Sequence, residues 1–284
     1  MAVRWSAPAK LNLYLHVVGR RADGYHLLDS LVAFAAPADE ITAEAAPSLS
    51  LALRGPYAAA LGDAPSDNLV WRAAERLAAA AGRPPAAALT LTKHLPVASG
   101  IGGGSSDAAA TLKALAALWQ LAPGAVDLAA IAQTLGADVP VCLGARAAWL
   151  GGVGETIEPV VGLPPATALL VNPGIALPTP AVFTARQGAF SAPARFAMPA
   201  DAAALAALLA ARRNDLTDAA IALVPAVGEV LDRLASLEGA LLARMSGSGA
   251  TCFALFAAPD AATAAASRLG AERPSWWVTA GRLS

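Results

Sequence analysis

Lysine is scarce in this chain: only Lys10, Lys93 and Lys113 carry it among 284 residues. With arginine the bases number 20 against 21 acids, a formal net charge of -1. A general nucleic-acid binder needs a basic surface to meet phosphate, so no nucleic-acid partner is expected. Cysteine is rarer still. Cys142 and Cys252 stand far apart in apolar company and read as buried free thiols, not as a disulfide or a metal site. His16, His26 and His94 lack metal-ligand spacing. A long apolar run is also missing. The uncharged stretch 159–185 is interrupted by Pro164, Pro165, Pro173, Pro178 and Pro180, which excludes a spanning helix. The opening MAVRWSAPAK has neither signal-peptide nor transit character, so the expectation is a cytoplasmic protein with no membrane partner.

What is present is core material. Hydrophobic residues reach 56%, much of it alanine, which favours helix while burying little per residue. The length suits one large domain or two ordinary ones. From Lys10 to Val18 the pattern alternates and predicts a half-buried strand, with Lys10 and Asn12 on one face. Asp23-Gly24 is a turn signal, followed by a second strand, YHLLDSLVAF. ITAEA, LSLAL and ALTLTKH read as further strands. Asp67 is the expected N-cap of a helix running to about Ala81. Ser105 or Ser106 is the expected cap of a helix whose apolar face is Ala108, Leu112, Leu115, Ala116 and Trp119. Another helix spans about Val126 to Leu135. Beyond Glu158 come the strand ATALLVN, helices over 201–213 and 219–237, strands ALLARM and ATCFALF, a helix over 260–269, and the strand SWWVTAG. Residues 186–199 read as a mobile loop. Strands and helices mix without strict alternation, which gives α+β in two domains, 1–158 and 159–284.

The main chemical signal is LPVASGIGGGSSDAAATL, residues 95–112. Gly100, Gly102, Gly103 and Gly104 lie between a strand and a helix, where bare backbone N–H groups approach an anion closely. The helix start aims its dipole at the same spot, and Ser105 and Ser106 add hydroxyls. No lysine follows these glycines, so this is not a P-loop. The βαβ context of a dinucleotide fold is missing too. A glycine turn used only for packing is the plainer alternative.

PAKLNLYL (8–15), the glycine loop and MSGSGATCFALF (245–256) resemble the three ordered motifs of the galactokinase, homoserine kinase, mevalonate kinase and phosphomevalonate kinase superfamily. RADGYH (21–26), LGADVPVCL (135–143), GVGE (152–155) and PTPAVF (178–183) extend the resemblance over nearly the whole chain. They are similar to the branch acting on 4-(cytidine 5′-diphospho)-2-C-methyl-D-erythritol. The resemblance implies an N-terminal ATP-binding domain and a C-terminal ferredoxin-like domain, whose last strand packs back on the first. It also implies ATP with Mg²⁺, and phosphorylation of the C2 hydroxyl of that small molecule; oligomeric state and metal ligands stay open.

Roles follow from it residue by residue. Spacing alone makes Asp138 a turn aspartate capping backbone N–H groups; the resemblance makes it the general base. Lys10 sits mid-strand among apolar residues, where an unpaired ammonium is costly, so a partner is expected; Asp138 or the γ-phosphate fits. The resemblance implies ATP binding by Asn68, Lys93 and the loop residues Pro96, Val97, Ala98, Ser99, Gly100, Ile101, Gly102, Gly103, Gly104, Ser105 and Ser106. It implies recognition of the cytidine substrate by Asn12, Tyr25, His26, Thr179 and Phe183, with Gly247 and Gly249 closing over it. Read without it, Tyr25 and Phe183 are core aromatics, Asn68 belongs to a first helical turn, and the two glycines form a turn between strands. A different kinase of the superfamily, a nucleotide binder without chemistry and a dinucleotide oxidoreductase are the competing functions.

Overall fold

The computed structural model describes residues 2–62 and 64–284. Two long strands, β1 (Ala2–Arg20) and β2 (His26–Glu44), run through both of its compact units. The first unit gathers 1–9, 38–97 and 102–145; the second gathers 10–37, 98–101 and 146–284. The expected division at 158 is a single cut, whereas each unit is assembled from several segments. ITAEA is not a separate strand either, because β2 continues through Ala43.

In the first unit, β3 (Ser50–Arg54) leads through α1 (Leu69–Ala80) to β4 (Ala88–Thr92), which lies parallel to β3. A parallel neighbour needs a crossover of this kind. On its other side β4 pairs antiparallel with Glu40–Glu44 of β2. Three helices follow: α2 (Gly103–Leu118), α3 (Leu128–Leu135) and α4 (Val139–Gly144). The cap of α1 is Asn68, whose side chain accepts from Val70 N at 2.9 Å; Asp67 belongs to the preceding 3₁₀ turn. Neither serine caps α2. Its N-cap is Gly102 in the left-handed conformation, and Ser106 turns inward to donate to the Pro8 carbonyl at 2.7 Å.

In the second unit, β5 (Ala148–Gly152) pairs with residues 28–32 of β2 and forms a hairpin with β6 (Thr156–Pro159). β7 (Thr167–Asn172) leads into α5 (Thr179–Ala185), α6 (Ala202–Ala210), α7 (Thr217–Leu223) and α8 (Ala226–Ala235). Pro225 interrupts the single helix expected over 219–237, because it lacks an N–H and disfavours helical backbone at Val224. β8 (Leu242–Met245), β9 (Cys252–Phe256), α9 (Pro259–Glu272) and β10 (Trp277–Arg282) complete the unit. These last four strands form an antiparallel sheet ordered β10-β7-β9-β8, the ferredoxin-like split βαβ arrangement. Beyond β10, Ser284 exchanges two backbone hydrogen bonds with Phe34.

Two expectations need correction here. β1 is buried on both faces from Lys10 to Val17, not half-buried. The polar face is tolerated because its side chains are satisfied: Tyr14 donates to Asp29 at 2.7 Å, and His16 Nδ1 donates to the Ala192 carbonyl at 2.9 Å. The segment 186–199 holds neither helix nor strand, yet it is fastened along its length. Ser191 N donates to Val17, Ala194 N to Asp29, and the Phe196 ring sits edge-on to Trp149. Among the described residues no helix is long and apolar enough to cross a membrane.

Candidate active site

The predicted site residues fall in both units. In the first, β4 delivers Lys93 to the interior at 2% exposure. Its ammonium donates to Asp39 Oδ2 at 2.5 Å and to Asp107 Oδ2 at 2.9 Å. Asp39 Oδ1 accepts from the backbone of His94 and Leu95, at 2.6 and 2.9 Å. The trio thus ties β2, the end of β4 and the second turn of α2 together. Lys93 is paired with two carboxylates. Asp107 Oδ1 is buried with no hydrogen-bond partner. Burial above all, opposed by Lys93 and reinforced by Asp39, pushes the Asp107 carboxyl up to about 7.

At the start of α2, no side chain caps the helix, so its first N–H groups keep their anion-binding capacity. Gly104 is exposed and Ser105 half-buried there, whereas Ser106 is buried. Gly103 packs close: a Cβ there would come within 3.2 Å of Lys93 Nζ. Pro96 and Val97 lead toward the loop. Asp138, half-buried before α4, makes no capping hydrogen bond to that helix.

In the second unit, Lys10 Nζ donates to Asn12 Oδ1 at 3.1 Å, and Asn12 Nδ2 donates to Ser30 Oγ at 2.9 Å. The same-face placement read from alternation is realised. Asn12 itself is 2% exposed, with both amide atoms hydrogen-bonded. Ala98, Ser99, Gly100 and Ile101 are stitched into this unit: Ile101 O accepts from Lys10 N at 2.8 Å and Ser99 O from Thr251 N at 3.1 Å. Ser246 Oγ accepts from Asn12 N at 3.1 Å and donates to Gly100 O at 3.0 Å, joining all three sequence motifs through one hydroxyl. Gly100, at φ 75°, is pressed against the third motif, where a Cβ would stand 2.5 Å from Ser246 O and 2.6 Å from Gly249 N. Gly247 faces it in turn.

The Arg21–Tyr25 turn, closed by Arg21 N on Tyr25 O at 2.7 Å, leaves Tyr25 66% exposed. His26 stacks directly on Phe183, with ring centroids 5.0 Å apart and planes 26° from parallel. Burial first, then Arg20 and Arg186, lowers the His26 pKa, so its imidazole is neutral at pH 7. Thr179 and Ser248 share a hydroxyl hydrogen bond of 2.8 Å. The sequence reading missed Asp39, Ser30 and Ser246. The cost of a buried lysine, applied above to Lys10, holds equally for Lys93 and pointed to a missing acid.

A glycine-rich helix start paired with a ferredoxin-like unit defines the class of GHMP small-molecule kinases. Family models agree: GHMP kinases N terminal domain matches residues 68–146, and GHMP kinases C terminal matches 198–274. A 4-diphosphocytidyl-2-C-methyl-D-erythritol kinase of Paramagnetospirillum magneticum is 55% identical over 98% of this chain and 97% of its own. One of Rhodospirillum rubrum is 54% identical, over 98% and 91%. A crystal structure of a 4-(cytidine 5′-diphospho)-2C-methyl-D-erythritol kinase superposes with TM-score 0.80 at 40% identity, over 99% of both chains. The chain belongs to the 4-diphosphocytidyl-2-C-methyl-D-erythritol kinase family. A homoserine kinase of Cytophaga hutchinsonii, 16% identical with TM-score 0.68 over 99% and 94% of the chains, shares the fold.

Proposed function

We propose that this chain transfers the γ-phosphate of ATP to the C2 hydroxyl of 4-(cytidine 5′-diphospho)-2-C-methyl-D-erythritol, in the cytoplasmic, non-mevalonate route to isoprenoid precursors. The products are the 2-phosphate and ADP. The observation that carries the reading is the glycine-rich start of α2, which no side chain caps and whose first N–H groups suit phosphate. A tertiary alcohol is a poor nucleophile. Asp138 takes its proton as the new O–P bond forms and the β–γ bridge breaks, with the electron pair leaving on ADP. Lys10 offsets the charge that develops during transfer. The uncapped start of α2 receives the ATP phosphates, Phe183 and Tyr25 flank the cytosine, and Thr179 serves the diphosphate.

Among the described residues no group of three or more His, Cys, Asp or Glu is arranged to hold a metal. Asp107 faces a lysine in the interior, so the chain fits a Mg²⁺ carried on ATP phosphate oxygens and water better than a protein cage. When bound, that ion neutralises phosphate charge.

The test is ADP release from ATP and Mg²⁺ with the cytidine substrate, beside homoserine and mevalonate. Turnover with the cytidine substrate alone is expected. Turnover only with a control keeps the kinase and overturns the substrate. Silence with all three despite ATP binding leaves a nucleotide binder without chemistry.

A further inference from the structure

Lys10 is 3% exposed, Asn12 2% and Ser30 fully buried, so each polar atom in this row must find its partner inside the protein. The row has a direction, and the direction comes from its far end. Ser30 Oγ lies 2.5 Å from the carbonyl oxygen of Tyr14. A carbonyl only accepts, so the single hydroxyl proton of Ser30 is spent there. Toward Asn12, 2.9 Å away, Ser30 can then only accept. That requires the NH₂ of Asn12 to face Ser30 and its oxygen to face Lys10 Nζ at 3.1 Å. The opposite amide orientation sets NH₂ against a buried ammonium, and oxygen against oxygen at Ser30. Both contacts are repulsive in a region with little water to screen them.

We propose that Ser30 is a positioning residue for phosphoryl transfer: through Tyr14 O and Asn12 it sets the polarity of the amide that holds the Lys10 ammonium. Asn12 is the intermediate of this relay, clamped also at its backbone N–H by Ser246. The inference rests on the reading of Lys10 as the cation used in transfer. It adds a residue two positions along the relay, on a neighbouring strand, that touches no substrate.

The experiment compares Ser30→Ala, Ser30→Thr, Asn12→Asp, the double variant Asn12→Asp/Ser30→Ala, and Lys10→Met in the steady-state kinase assay. Circular dichroism and thermal melts confirm folding. In Ser30→Ala the amide loses the partner that orients it. The expected result is a fall in kcat of about tenfold or more, with both KM values within about twofold of the parent. Ser30→Thr keeps the hydroxyl and restores kcat. In Asn12→Asp both oxygens only accept, so one is set against Ser30 Oγ and kcat falls; adding Ser30→Ala removes that repulsive contact and lowers kcat no further, a non-additive cycle. A serine that only fills space would change the melting temperature, leave kcat of folded enzyme intact and combine additively with Asn12→Asp; that result overturns the proposal. If Ser30→Ala does not fold, Ser30→Cys replaces it, keeping the volume with a weak hydrogen bonder. Lys10→Met separates the two levels. Near-normal turnover there overturns the role of Lys10 itself, whereas a dead Lys10→Met beside a fully active Ser30→Ala overturns only the relay.

Discussion

Lys93 Nζ lies 2.9 Å from Asp107 Oδ2 while also bound to Asp39, so one buried cation stands between two carboxylates. Removing one member of such a group strands the others without solvent. Lys93→Met leaves two buried acids facing each other, and stability is expected to fall by about 3–5 kcal/mol, read as a drop in the thermal midpoint. A lysine that merely touched ATP would instead raise the KM for ATP and leave the midpoint alone.

The trio also predicts a pH dependence. The Asp107 carboxyl is held up at about 7 against an ordinary 3.8. Between those values the folded protein keeps a proton that the unfolded chain has released. This group's contribution therefore weakens as pH rises across that window and levels off above about 7, with a slope of at most about 1.4 kcal/mol per pH unit. Asp107→Asn removes the titration. Its stability relative to the parent should rise from pH 5 to pH 8, measured by denaturant unfolding at each pH. A constant difference would contradict the raised pKa.

What the sequence disclosed, and what it hid, follows from the range of each interaction. Lys10 and Asn12 share a face because a strand has period two, and that was legible residue by residue. The glycine loop and its helix were legible because missing side chains at a strand–helix joint have few other uses. Two caps were misplaced by one residue or more. Asp67 and Asn68 are equally good caps by type, and Gly102 replaces a serine cap through a left-handed backbone that no pattern announces. Asp39 and Ser30 were not legible at all, since Asp39 meets Lys93 across 54 positions and Ser30 meets Asn12 across 18. The break at Pro225 was visible, but a strong apolar pattern on both sides outweighed it.

Two glycines separate folding from phosphate binding. Gly100 sits at positive φ against backbone atoms of the third motif, so Gly100→Ala has no room and no relaxed conformation. A loss of about 1–3 kcal/mol and of turnover is expected. At Gly104 a new Cβ would lie 3.7 Å from Leu69 Cδ1, an ordinary contact. Gly104→Ala should hold or raise the melting temperature, since alanine favours helix by about 0.5–1 kcal/mol. If the phosphates approach that backbone, the KM for ATP rises. An unchanged KM would move the phosphates elsewhere.

The His26–Phe183 stack makes the last prediction, on substrate affinity. Phe183 also packs against the second unit's core, so Phe183→Ala would confound lost stacking with lost packing. Phe183→Leu keeps most of the apolar volume and removes the ring. Loss of a base-stacking platform is worth about 1–3 kcal/mol, so the KM for the cytidine substrate should rise roughly 5- to 150-fold while the KM for ATP holds. His26 adds a pH signature. Its lowered pKa keeps the imidazole neutral to more acid conditions than a free histidine. The cytidine-substrate KM should therefore stay flat from pH 8 to below 6.5 and change only at lower pH, when the ring charges between Arg20 and Arg186. In His26→Gln that acid limb should vanish with the ionisable group. Its persistence would assign the limb to another residue and detach His26 from substrate recognition.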